Sequence, residues 1–249
     1  MKAILKKIVI RLITFEARLV LKKYKPQIIA VTGSVGKTSV KDAIYTALIP
    51  SLFIRKNEKS LNGEIGTPLT ILGADSGWGD PFSWARILFE GALLIILKNR
   101  YPKWLVLEVG TDHPGEIRGI TRWLKPDVTV ITALPEVPVH VEFFESTEAL
   151  IREKRYLADA LKENGTLILC GDDRKAAALK SVYDVRSILY GFGPPSDIRA
   201  EHAEIMYDEN GAPLGMQFDV CHGGGAVPMA LTGTLGKQQV YPLLAAHAV

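Results

Sequence analysis

The stretch Ile28–Ser39 reads IIAVTGSVGKTS, and the residues in it whose types and spacing can do chemistry run from Thr32 to Ser39. Gly33 and Gly36 permit a backbone with positive φ and leave no side chain to block close approach, with Ser34 and Val35 between them. Successive N–H groups of such a loop point into one concavity, and a helix opening at Lys37 adds partial positive charge there. Lys37 supplies a mobile cation for β- and γ-phosphates, and the Thr38 hydroxyl is placed to ligate Mg²⁺. The arrangement is that of a site for ATP. The common phosphate loop carries a further glycine two positions before Gly33. Val31 stands there, so this is the shorter Gly-x-x-Gly-Lys-Thr form. A second candidate is Glu108, at the end of WLVLEVG. A carboxylate at the C-terminal end of a buried strand beside the phosphate-loop strand is where such folds hold the metal. Magnesium takes hard oxygen ligands and keeps several waters, so one or two carboxylates suffice.

These residues need a strand before the loop and a helix after it. The sequence supplies both: Ile28–Val31 is a short β-branched run, and Lys37–Leu48 has helical periodicity. Further apolar runs at Trp104–Val109, Val128–Thr132, Thr166–Cys170 and Val185–Tyr190 read as strands. Thr147–Leu161, capped by Ser146, and Arg174–Lys180 read as helices. Continuous apolar strands separated by helices predict an α/β fold, with a mostly parallel sheet flanked by helices. After Gly191 the pattern changes. Asn210-Gly211 and Gly223-Gly224-Gly225 punctuate short alternating segments, which predicts a small antiparallel subsheet over 198–232. Gly236–Val249 returns to a helical pattern, and stopping inside it reads as a fragment of a longer protein.

Composition bounds the rest. A chain of 249 residues with 47% hydrophobic residues builds a sizeable core, and a net charge of +3 is too small to argue for nucleic acid. Two cysteines, Cys170 and Cys221, form neither a metal motif nor a disulfide framework, which fits a reducing cytoplasm. Residues 1–25 are expected to be a basic amphipathic helix. Ile4, Ile8, Arg11, Phe15 and Leu19 fall roughly on one face, and Lys6, Lys7 and Arg18 interrupt any membrane-spanning run. No small-residue cleavage site follows, which argues against a secretory signal. Two readings stand for this helix: packing on the domain, or lying on the anionic inner face of the plasma membrane through residues 1–24. Phe82–Leu97, broken by Arg86, Glu90 and Gly91, reads as a buried or groove-lining helix.

Several stretches in order resemble the Mur ligases, which join amino acids or peptides to nucleotide-linked muramic acid. These are TGSVGKTSVKDAI, LNGEIGTPLTIL from Leu61, LVLEVGTDHPGEI from Leu105, the run around His140 to Lys154, and LILCGDD from Leu167. GTDHPGEI is most similar to the branch that adds D-alanyl-D-alanine. The resemblance covers residues 26–249 as an ATP-binding central domain, and it implies an ATP- and Mg²⁺-dependent amide ligase of peptidoglycan precursor synthesis. The substrates would be a nucleotide-linked muramoyl peptide and D-alanyl-D-alanine. The carboxylate of the first would be activated as an acyl phosphate, in a monomeric cytoplasmic enzyme. It further implies that Glu108 and His140 bind the metals and that Lys154 is carbamylated and joins them. By the same resemblance Asn62 and Glu64 face substrate, although Asn62-Gly63 is equally a turn signal.

The departures are specific. The family's uridine-binding N-terminal domain and swinging C-terminal domain are not expected in this chain. The family's His and Asn in the run before Ala-Ala are replaced by Gln238 and Pro242, and a usual Asn by Cys170, which puts nucleobase selectivity in doubt. Two alternatives to the ligase follow: a related ligase with a different acceptor, and a nucleotide-binding module or fragment without complete ligase activity.

Overall fold

The computed structural model describes residues 3–58, 61–134 and 143–249. One nine-stranded sheet runs through the molecule in the order β2-β3-β1-β4-β5-β6-β7-β8-β9. Its strands are β1 (Gln27–Thr32), β2 (Ile54–Lys56), β3 (Trp104–Glu108), β4 (Val128–Ile131), β5 (Thr166–Cys170), β6 (Arg186–Gly191), β7 (Ile198–Tyr207), β8 (Pro213–His222) and β9 (Gly225–Thr232). The strands from β2 to β7 pair in parallel, and β7-β8 and β8-β9 pair antiparallel. The hairpin region therefore extends the main sheet as its last three strands, joined through Tyr190↔Ile198 and Gly191↔Arg199.

The helices are α1 (Ala3–Tyr24), α2 (Lys37–Leu48), α3 (Gly66–Leu72), α4 (Pro81–Ile96), α5 (Glu116–Thr121), α6 (Thr147–Asp159), α7 (Arg174–Ala178) and α8 (Tyr241–His247). Two helical stretches read from the sequence are partly 3₁₀ instead: Leu179–Ser181 closes α7, and Lys237–Gln239 precedes α8. Pro242 sits in the first turn of α8, where its missing N–H costs nothing.

Side chains alternate across β1. Ile29 and Val31 pack with Val40 and Ile44 of α2 and Leu244 of α8, while Ile28 and Ala30 pack with Ala17 and Val20 of α1, Ile117 and Ile120 of α5 and Leu157 of α6. Both faces are thus covered, as a parallel sheet requires. The order reverses at β1: β3 and β2 lie on one side, and β4 to β6 on the other. Such a switch point leaves a crevice beyond the carboxyl end of the central strand.

Two expectations about the outer helices need correction. The face of α1 that packs inward is Val9, Ile13, Ala17 and Val20, all buried. Ile8 and Phe15, which the first of the two readings of this helix puts on the packing stripe, are 47% and 58% exposed. Both stripes are apolar, so periodicity alone does not choose between them; contact with α3 and α4 does. In α4 only Trp84, Ile87 and Gly91 are buried, whereas Phe82 is 86% exposed and Ile96 76%. It is a surface helix, capped by Asp80 accepting from the Phe82 and Ser83 amides. Among the described residues no helix is long and apolar enough to cross a membrane.

Candidate functional site

The loop between β1 and α2 occupies the switch-point crevice. Gly33 has φ +140°, and a Cβ there would stand 1.9 Å from the Thr132 hydroxyl oxygen, so only glycine fits between the ends of β1 and β4. The Ser34 amide donates to the Ala133 carbonyl at 2.9 Å, which hooks the loop to the segment after β4. Gly36, at φ 84°, opens α2 with no side-chain cap. Among the described residues the first amides of α2 therefore have neither an intrahelical nor a side-chain partner, the arrangement in which a helix end receives an anion.

Glu108, at the carboxyl end of β3, is 2% exposed. Its backbone is fixed by Asn57: the Glu108 amide donates to Asn57 Oδ1 at 2.8 Å, and Asn57 Nδ2 donates to the Glu108 carbonyl at 3.1 Å. Its carboxylate receives the Thr38 hydroxyl at 2.9 Å and Asn62 Nδ2 at 3.2 Å, with Lys41 Nζ 4.0 Å away. Lys154, on α6, is buried and donates from Nζ to the Gly33 carbonyl at 3.0 Å.

Ser34, Lys37, Asn62, Glu108, Asp112 and Lys154 line one polar cavity of about 140 Å³. Burial lowers the pKa of Lys37, opposed by Glu108 and Asp112. Burial, and then the neighbouring Lys37 charge, brings Lys154 down to about 8. Two cations held this close and this dry form a site that an anion relieves. Thr38 and Glu108 together offer hard oxygens suited to magnesium, and the Thr32 and Thr132 hydroxyls beside the loop are buried and have no hydrogen-bond partner among the described residues. The residues present thus fit a magnesium-bound phosphate group.

A second hollow of about 430 Å³ lies across the loop, reached past Val35, Gly36 and Ser39. Its far wall includes Cys170, Asp172, Tyr190, Gln238, Tyr241 and Pro242. The Tyr241 hydroxyl donates to Asp172 at 2.9 Å, and Asp172 also accepts from the Phe192 and Gly193 amides. Asp173 caps α7 and accepts from the Leu134 amide at 2.8 Å. Burial pushes the Cys170 thiol up to about 11, so it lines this wall as a neutral group.

Of the residues singled out from sequence, the fold gathers Gly33, Ser34, Lys37, Thr38, Glu108, Asn62 and Lys154 at one place. Thr32 ends β1 beneath them, and Val35, Gly36 and Ser39 face the larger hollow. Glu64 does not line the cavity; it is exposed, and its carboxylate lies over Gly119 of α5. His140 falls outside the described residues. Asn57, Asp112 and Thr132 were not singled out. Asn57 and Thr132 carry no local motif and matter through contacts with residues 51 positions away and at the far side of the loop, respectively. Asp112 had a signal in Gly110-Thr111-Asp112, a loop that Glu116 closes by accepting from the Asp112 and His113 amides.

Comparison with known proteins agrees with this geometry. The UDP-N-acetylmuramoyl-tripeptide--D-alanyl-D-alanine ligase of Bacillus subtilis is 29% identical over 195 residues, covering 78% of this chain and 36% of that protein. Its counterpart in Mycobacterium bovis is 28% identical over 222 residues, covering 89% of this chain and 37% of that protein. The chain thus spans little more than a third of the length of these curated relatives. Among solved structures, the MurF ligase of Thermotoga maritima in complex with ADP matches with a TM-score of 0.74 at 23% identity, over 96% of this chain and 48% of that one. MurF from Acinetobacter baumannii matches at 0.72 and 21%, over 95% and 45%. At these identities the structural likeness speaks for the fold. A family model, the Mur ligase middle domain, matches residues 31–249, and the chain belongs to that family.

Proposed function

We propose that this chain is the ATP-binding core of a peptidoglycan-precursor ligase that joins D-alanyl-D-alanine to a UDP-linked muramoyl tripeptide. The observation that carries the reading is the shared cavity of Lys37, Lys154 and Glu108 at the N-terminus of α2, with the Thr38 hydroxyl hydrogen-bonded to Glu108. The relatives' names supply the substrates, and the ADP complex of the Thermotoga maritima ligase supports ATP as the nucleotide.

In this reading the adenine side of ATP lies in the larger hollow and its phosphates cross the loop amides of Ser34–Ser39. Lys37 neutralises the transferring γ-phosphoryl group, whose charge builds on its outer oxygens. Magnesium, held by Thr38 and Glu108 with His140 as a further ligand, would add charge neutralisation and align the phosphates. Asn62 fixes the Glu108 carboxylate, and Asn62 and Glu64 line the approach of the muramoyl peptide. The peptide carboxylate takes the γ-phosphoryl group and ADP is left. The amine of D-alanyl-D-alanine then displaces phosphate, forming the amide and losing one proton. Carbamylation of Lys154 needs its free amine, and a pKa of about 8 leaves roughly a tenth of that form at pH 7. The carbamate would turn a cation into an anion beside the metal.

The proposed setting is a cytoplasmic monomer acting on small molecules and not on nucleic acid, with residues 1–24 touching the inner face of the plasma membrane. The second reading, a nucleotide-binding module without complete ligase activity, is favoured by the replacement of the family's Asn by Pro242. Phosphate release measured with ATP, Mg²⁺, the UDP-linked tripeptide and D-alanyl-D-alanine, omitting each acceptor in turn, separates the two. Release that needs both acceptors supports the ligase. ADP binding without turnover supports the module, and no nucleotide binding at all sinks both.

A further inference from the structure

At the end of the sheet opposite the phosphate loop, a hollow of about 510 Å³ is ringed by Arg18, Lys22, Lys25, Arg122, Lys125 and Lys162, with Trp123 in its wall. These cations come from α1 and the residue that follows it, the turn after α5 and the turn after α6, so tertiary structure assembles them. The whole chain carries a net charge of only +3, which makes the concentration local. Among the described residues Lys162 is paired with Asp127 at 2.8 Å, and the other five make no ion pair.

The hollow adjoins the outward side of α1. Lys7, Arg11, Arg18 and Lys22 share one exposed stripe of that helix by spacing, and Ile8, Leu12, Phe15 and Leu19 share the next. Ile8, Leu12 and Phe15 are 47%, 44% and 58% exposed. An apolar stripe edged by cations is the pattern of a helix lying in a bilayer interface.

We infer that the basic hollow and the outer face of α1 form one docking surface for an anionic phospholipid bilayer. Phosphate headgroups enter the hollow, and Ile8, Leu12 and Phe15 reach the acyl boundary. The inference rests on the membrane contact proposed for residues 1–24 and extends it to Arg122, Lys125 and Lys162, which lie outside that segment. A nucleic acid would match the cations but leaves the apolar stripe without a partner. A second copy of this chain would match the stripe but bring the same cations into repulsion. Near an anionic leaflet each basic residue changes partitioning by about fivefold.

Deleting residues 1–24 is a poor test, because Val9, Ile13, Ala17 and Val20 are buried in the core. Point variants on exposed positions keep the fold: R122E with K125E in the hollow, and I8S with F15S on the stripe. Unchanged melting and ADP binding serve as the control. Co-sedimentation is measured with phosphatidylcholine vesicles with and without phosphatidylglycerol, beside a single-stranded oligonucleotide and light scattering of the protein alone. The wild type should bind only the phosphatidylglycerol vesicles, less at high salt. Each double variant should lose more than about tenfold in partitioning. Failure of the wild type to bind overturns both the membrane contact and this surface. Binding that R122E with K125E leaves intact overturns the hollow alone. Tighter binding to the oligonucleotide, or a dimer that I8S with F15S dissolves, overturns the lipid assignment.

Discussion

Lys154 Nζ donates to the Gly33 carbonyl at 3.0 Å, which ties α6 to the first residue of the phosphate loop across 121 positions of sequence. The same amine shares a cavity with Lys37, so one lysine both shapes the loop and sets its charge. Burial lowers its pKa from 10.5 in the unfolded chain to about 8 in the fold. Between those values the unfolded chain binds the extra proton, so this group makes stability rise with pH over that window. Urea melts across pH 8 to 10.5 should show a rise on the order of 2 kcal/mol from this site, and K154M should flatten it. A curve of the same slope in K154M would remove the assigned cause.

Lys37→Ala should lower turnover at least about a hundredfold, because phosphoryl transfer loses a preorganised cation. The fold should survive, since Lys37 is only half-buried and its hydrogen bond to the Ser34 carbonyl is long at 3.4 Å. Steady-state phosphate release is the measurement. Activity within a few-fold of wild type would rule out the proposed role.

Glu108→Gln keeps the shape of the side chain but removes its charge. Nucleotide affinity should fall in magnesium and change little in its absence, because a neutral amide is a poor ligand for a hard cation. Calorimetric titration with ADP, with and without magnesium, reads the difference. Equal losses in both conditions would mean that Glu108 acts on the loop through Thr38 instead.

Gly33→Ala places a Cβ against the Thr132 hydroxyl at a φ of +140°. ADP binding should be lost. Adding Thr132→Ala should recover it only in part, because the clash is relieved while the backbone strain remains. Full recovery in the double variant would show that sterics alone demand glycine there.

Glu16 of α1 packs toward Gly91 of α4, where a Cβ would stand 2.3 Å from Glu16 Oε2, and that oxygen is buried with no hydrogen-bond partner among the described residues. Burial raises its pKa from 4.5 to about 7. The folded state therefore holds the proton more tightly, and stability falls as pH rises from 4.5 through 7. Glu16→Gln should stabilise the protein above pH 7 by about 1 kcal/mol after allowance for solvent screening, with little effect at pH 4. Thermal melts at the two pH values test it. A gain of equal size at both would point to packing and not to charge.

Much of the site was legible because it is local. Gly33 to Thr38 needs only a strand before it and a helix after it, and β-branched Ile28–Val31 and periodic Lys37–Leu48 announce both. Glu108 was legible for the same reason, as a carboxylate at the end of a buried apolar run. The packing face of α1 was not, since Ile8 and Phe15 repeat at the same helical spacing as Ile13 and Val20, and only the neighbours α3 and α4 distinguish the two stripes. The exposure of Phe82 and Ile96 was hidden likewise, because hydrophobicity states a preference for burial and does not supply the partner that satisfies it.

The sequence by itself determined an alternating strand–helix chain with a phosphate loop, because backbone propensity and glycine placement act over a few residues. Tertiary structure alone decided that Asn57 locks Glu108, that Thr132 excludes any side chain at Gly33, and that Lys154 comes within hydrogen-bond reach of the loop. It also decided that six scattered cations surround one hollow. Those relations join residues tens of positions apart, and their energies depend on distance and desolvation in space, which no local pattern along the chain encodes.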